Sequence, residues 1–250
     1  MTTDLSGVYL KIKRANKHIK DLERHIVTFE ETNPYEVITQ DNPQDAECYQ
    51  GIFKIRKPIP RCISLITGDA IHNLRSALDH LACAAVSIRG TVTTDTAFPI
   101  WRKSSIPTVH DYKALVLGKV KGAPQPFIDL LLGLQPYERG LHDDLWAIDY
   151  LDITDKHKLL IEAFGSYDSL IQFVGPLADR TKPDYPFPLK DGDVLFCGRY
   201  ANKEQEPERL PVIAVALNEP RILKGKPITP TLTDLSETTT AIIDQLRRVL

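Results

Sequence analysis

The chain has little of what announces several common chemistries. Its four cysteines, Cys48, Cys62, Cys83 and Cys197, are scattered, with no CxxC pair and no histidine at ligand spacing. That usage speaks against a zinc site or a disulfide framework and for reduced thiols in a cytoplasmic protein. An acidic stretch holds His142, Asp143, Asp144, Asp149, Asp152 and Asp155, yet it contains no HExxH, Asp-x-Asp or Glu-x-x-His pattern. Neither a metal nor another cofactor is expected. A glycine-rich phosphate loop and a GxSxG elbow are also missing, which speaks against P-loop nucleotide hydrolysis and α/β-hydrolase chemistry. The longest near-apolar run, residues 81–88, is too short to span a bilayer, and the first residues lack an apolar signal core. No membrane association is expected. With a net charge of −2, no global basic field favours nucleic acid, so any such contact needs a local patch.

What the chain does have is helical periodicity. Val8, Ile12, Ala15, Ile19, Leu22, Ile26 and Phe29 recur at steps of four and three within residues 4–31. Thr67, Ile71, Leu74, Leu78, Leu81, Ala85 and Ile88 repeat the rhythm in a second long helix. Two matched seams predict long helices packed at a shallow angle, as in an antiparallel bundle. Between them, β-branched and aromatic runs at 35–40 and 48–57 flank Asp41-Asn-Pro43 and predict a hairpin insertion at 35–57. Gly90 is expected to close the second helix as its C′ residue. The loop 91–108 should tuck Phe98-Pro-Ile-Trp101 onto the bundle. Shorter helices are expected at 109–120, 126–134 and 140–158.

The texture then changes, with strands expected at 159–164, 169–174, 193–200 and 211–217. A final amphipathic helix is placed at 235–250, with N-cap candidates in Thr233-Asp-Leu-Ser236. The class is therefore α+β: an N-terminal helical bundle (1–158) with two long antiparallel helices, a small antiparallel sheet (159–230) and a C-terminal helix (231–250).

The arc opposite the second seam carries Asp69, His72, Asn73, Arg75, Ser76, Asp79 and His80. An ordinary wet face is dressed in Lys, Glu and Gln, which favour helix. This arc has none of them, only short or chemically capable groups. Two readings stand side by side. One is a simple surface with an Arg75–Asp79 pair one turn apart. The other is a site in which imidazoles move protons and a guanidinium holds phosphate.

Within this helix, Arg75-Ser-Ala-Leu-Asp-His80 forms an Arg-x4-His pattern preceded by His72-Asn73. Here the sequence resembles the HEPN superfamily, helical-bundle domains of which many are metal-independent ribonucleases. The resemblance covers mainly residues 1–30 and 60–90. It departs from many active members in carrying Ser76 directly after the arginine. It implies Arg75 and His80 as catalytic residues, a homodimer that brings two Arg-His pairs into one cleft, and RNA as substrate. A spacing of five separates the two side chains by roughly 140° around the helix axis, so a second helix is needed to complete a groove. Asn73 and Ser76 are placed to orient the imidazole or the sugar, with His72, Asp79 and Asp69 as further support.

Two basic features complete the reading. Lys156, His157 and Lys158 sit where a helix is expected to end, either as a phosphate-contacting corner or as cations meeting the negative end of the dipole. Lys13, Lys17, Lys20 and Arg24 form a stripe along the first helix that could follow an RNA backbone. Asp21, Glu23 and Glu30 dilute it toward a plain solvated face. The function expected from the sequence is a HEPN-like, metal-independent endoribonuclease of toxin or defence type, dimeric and with a possible antitoxin or other protein partner. The alternative is a non-catalytic HEPN-like dimerisation module, or one that binds a nucleotide or protein.

Overall fold

A computed structural model of the protein describes residues 3–103, 106–158, 163–167, 189–199, 213–217 and 223–250. Helix α1 (Ser6–Glu30) buries the seven seam residues expected of it, from Val8 to Phe29. Helix α2 (Arg61–Ser87) lies against α1 along its length. The pairing is antiparallel, because Gly7 near the start of α1 adjoins His80, while His25 near its end faces Cys62 at the start of α2. The α2 seam is buried from Thr67 to Ala85, but Ile88 falls beyond the helix and is exposed. Ala70, Ala77 and Arg75 are buried as well. Helix α2 is thus enclosed on more than one side, and the arc opposite its seam is not simply a solvent face.

Helices α3 (Val109–Lys119), α4 (Gln125–Leu134) and α5 (Asp143–Lys158) follow the loop that buries Phe98, Ile100 and Trp101. Thr108 caps α3 by accepting from the Asp111 amide, and Asp143 and Asp144 place negative charge on the first turn of α5. Gln135 turns left-handed (φ 50°) to end α4 ahead of Pro136. Helix α6 (Ile228–Arg247) closes a four-helix arrangement against α1, α2 and α5. It begins after Pro227, earlier than the expected position 235. Thr233 and Ser236 therefore lie inside it, with Thr233 Oγ1 bonded to the Thr229 carbonyl and Ser236 Oγ to Asn16 of α1. A threonine or serine signals a cap only when its side chain turns to a free amide, and here both turn elsewhere.

The protein is α+β, with small antiparallel ladders beside the helices. Strands β1 (Tyr35–Asn42) and β2 (Asp45–Ile55) form the expected hairpin. Two further pairings join distant segments. Strand β4 (Val194–Arg199) adds to β2, and β3 (Ala163–Tyr167) pairs with β5 (Ile213–Leu217). The hairpin and β4 share a minor core of Phe53, Leu189 and Leu195. The strand expected at 169–174 lies outside the described residues. Gly90 also differs from expectation. It does not adopt the left-handed conformation of a C′ glycine. Instead, a Cβ there would come within 2.9 Å of the Lys121 carbonyl and 3.2 Å of Gly122, so its value is close approach between two chain segments.

Leu78 is fully buried in the α1–α2 seam. Leu78→Asp is expected to unfold the protein, since it buries an unpaired charge in the main core. Thermal melting followed by circular dichroism checks this, and an unchanged midpoint would place the core on another face.

Candidate functional site on the α2–α5 face

Helices α2 and α5 meet closely at Gly68. An ideal Cβ at this position would stand only 2.4 Å from a carboxylate oxygen of Asp155, so the glycine sets how near the two helices come. Along the same face, Asp149, Asp152 and Asp155 recur every three residues on α5 and confront the polar residues of α2. Two charge clusters result.

The inner cluster is centred on Asp149, which is 1 % exposed. Arg75 Nε donates to Asp149 Oδ1 at 2.8 Å. One terminal nitrogen of Arg75 donates to Asp79 Oδ1 at 2.7 Å and the other to the Phe98 carbonyl at 3.2 Å. Arg102 lies across the same carboxylate, with Nε at 2.7 Å from Oδ2 and Nη2 at 2.8 Å from Oδ1. Asp79 in turn accepts from the Phe98 amide at 2.9 Å. Burial pushes the Asp149 carboxyl upward, but the hydrogen bond from Arg102 and the charges of Arg75 and Arg102 outweigh it and hold its pKa below the usual carboxylate range. Two guanidinium groups and two carboxylates balance in a network that ties α2, α5 and the 98–102 loop together.

This revises the reading of Arg75. It is buried at 5 % exposure, and all three of its nitrogens already have protein acceptors. A phosphate could take the fork only by displacing Asp149, at the cost of leaving a buried carboxylate short of partners. The pair with Asp79 is real, but it is one edge of a larger network rather than a surface pair.

The outer cluster lies one turn further along α5. His72 Nδ1 meets Asp152 Oδ1 at 2.9 Å, and Lys156 Nζ bonds the other oxygen of that carboxylate. On its far side, His72 Nε2 faces Ser76 Oγ at 3.4 Å. The Asp152 side chain is only 5 % exposed, whereas those of His72 and Lys156 are each 49 % exposed. A buried carboxylate therefore orients an accessible imidazole and an accessible ammonium. Proton transfer beside a fixed positive charge is what this arrangement can support.

The other expected residues are spread more widely. His80 is exposed near the start of α1, with its Nδ1 only 3.1 Å from where a Cβ on Gly7 would lie, while Arg75 turns to α5 and the 98–102 loop. Asn73 bonds back to the Asp69 carbonyl of its own helix at 2.8 Å, and Asp69 is exposed. Lys13, Lys17 and Lys20 line an open groove on α1 with Tyr9, Leu10, Arg14 and Asn16. Arg24 is engaged by Asp21. The side chains of His157 and Lys158 lie outside the described residues. Among the described residues, no three His, Cys, Asp or Glu side chains converge as a metal-binding group. No described helix is long and apolar enough to cross a membrane.

Arg102, Asp149 and Asp152 were not expected as site residues. Asp149 and Asp152 stood in the acidic stretch, and their three-residue spacing was the available signal. Arg102, one residue after the Phe98–Trp101 run, had none.

Asp149→Asn is expected to cost about 3–5 kcal/mol at neutral pH, because it leaves two guanidinium groups without their shared carboxylate. Because the folded-state pKa of Asp149 is lowered, its contribution is present above the unfolded carboxylate value of about 3.9 and disappears as pH falls through the folded value. Midpoints measured from pH 7 to pH 2 should show a steep acid limb in the wild type and a flatter one in the variant. Parallel acid limbs would remove Asp149 as their source.

No family model matches this chain, and no curated protein or solved structure is significantly similar to it.

Proposed function

We propose that the chain is a HEPN-like, metal-independent endoribonuclease whose acid–base centre is His72, in place of the Arg75–His80 pair. The observation that carries this reading is the half-exposed His72 imidazole held by buried Asp152, with Lys156 on the other oxygen of the same carboxylate. Imidazole titrates near neutrality and serves as acid or base without a metal. In the reaction, His72 takes the proton of a ribose 2′-hydroxyl. The 2′-oxygen bonds to the adjacent phosphorus and the bond from phosphorus to the 5′-oxygen breaks. Lys156 meets the charge that builds on the phosphoryl oxygens. The leaving 5′-oxygen takes its proton from water, which reaches this half-exposed site. Arg75 holds α5 against α2 and so positions Asp152, while Lys13, Lys17 and Lys20 follow the RNA backbone.

RNA incubated with the protein in EDTA should be cut to products ending in 2′,3′-cyclic phosphate. His72→Ala should slow cleavage by about 10²–10⁴-fold while the protein stays folded, because the side chain is half exposed. Undiminished cleavage in that variant would remove His72 from the chemistry.

A second reading rests on the consumption of Arg75 by its protein partners. On that reading the chain is a HEPN-like module that dimerises, or that binds a nucleotide or another protein, and the polar network serves stability. Sedimentation at micromolar concentration is then expected to give a dimer, with wild-type protein cutting neither structured nor unstructured RNA. A monomer would overturn the dimerisation form of this reading.

A further inference from the structure

The position of Ser76 is not needed for the RNA cleavage set out above. Ser76 lies one helical turn after His72, and its hydroxyl faces the imidazole nitrogen opposite the one bound to Asp152. Carboxylate, imidazole and hydroxyl thus stand in series, with separations of 2.9 Å and 3.4 Å. The carboxylate is buried, the imidazole is half exposed and Ser76 is partly exposed. A base within reach of a hydroxyl, itself oriented by a third group, is the arrangement that activates a serine nucleophile. The longer separation suits a resting site, since such bonds tighten when substrate is bound.

We propose that Ser76, His72 and Asp152 form a nucleophilic relay that hydrolyses small carboxylic esters through an acyl group carried on Ser76. The Ser76 oxygen bonds to the ester carbonyl carbon as its proton passes to His72 Nε2. The tetrahedral intermediate then expels the alcohol, which leaves with the proton returned by His72. Water, giving its proton to the same imidazole, attacks the acyl carbon, and the bond to Ser76 breaks as His72 returns that proton to the Ser76 oxygen, releasing the carboxylic acid. Ester and water become acid and alcohol, with no further reagent. Asp152 holds the imidazole in orientation, and Lys156, on the other oxygen of that carboxylate, fixes Asp152 in turn. This inference shares His72 with the ribonuclease reading, but it needs no ribose hydroxyl.

The test treats the whole protein with a fluorophosphonate, which reacts with activated serine hydroxyls, and locates the adduct by peptide mass spectrometry. One adduct, on Ser76, is expected. It should be missing in Ser76→Ala, a substitution that favours helix, and form about 10²–10⁴-fold more slowly in His72→Ala. The wild type should release p-nitrophenol from p-nitrophenyl acetate, and both variants should lose that activity. A folded wild type left unmodified at Ser76, or labelling equally fast without His72, overturns the relay. RNA cleavage by a protein that takes no label also overturns it while leaving the ribonuclease reading intact. A Ser76-labelled protein that cuts no RNA supports the relay and removes the ribonuclease.

Discussion

The buried carboxylate of Asp149 is the point on which the architecture of this face depends. It belongs to α5, is gripped by Arg75 of α2, and is covered by Arg102 from the loop that follows α2. An ionised group so deep in a protein persists only when its charge and hydrogen-bonding capacity are matched. Here the matching groups come from three separate segments, so satisfying one carboxylate fixes all three. The apolar seam drives α1 onto α2, but it does not specify where α5 sits along α2. The Asp149 network supplies that registry.

Registry matters because the outer cluster lies one turn away. Asp152 follows Asp149 by three residues on α5, and His72 precedes Arg75 by three on α2. The antiparallel sense of these steps brings the second pair together where the first pair has set the distance. At the inner cluster the Arg75–Asp149 pair is buried, while the outer one keeps half of an imidazole and half of an ammonium in water. The face therefore divides between a part that holds position and a part that meets solvent.

The helices were legible because their signal is local and repeated. All seven seam residues of α1 are buried, and six of the seven named on α2. The hairpin was legible for the same reason. The addition of β4 to β2 was not, because that pairing joins segments about 150 residues apart and nothing in either strand names its partner. Arg75 shows the limit at the site. Its pairing with Asp79 could be read from a four-residue spacing, but Asp149 is 74 positions away. Placing Arg75 opposite the seam suggests exposure, whereas only part of that arc, at Asp69, His72 and His80, meets water. The Ser76–His72 contact was within reach of periodicity, since i and i+4 are neighbours on a helix. The carboxylate that gives it direction was not.

Gly68 adds a different kind of specification. With no side chain, it lets the carboxylate of Asp155 come where a methyl group would be. One turn later on the same helix stands His72. The separation between the His72 imidazole and the Asp152 carboxylate is thus governed partly by a missing side chain, a quantity with no charge, no polarity and no reactive atom. Inheritance of this arrangement in a lineage would therefore require keeping the absence of a side chain at residue 68 as faithfully as keeping the histidine.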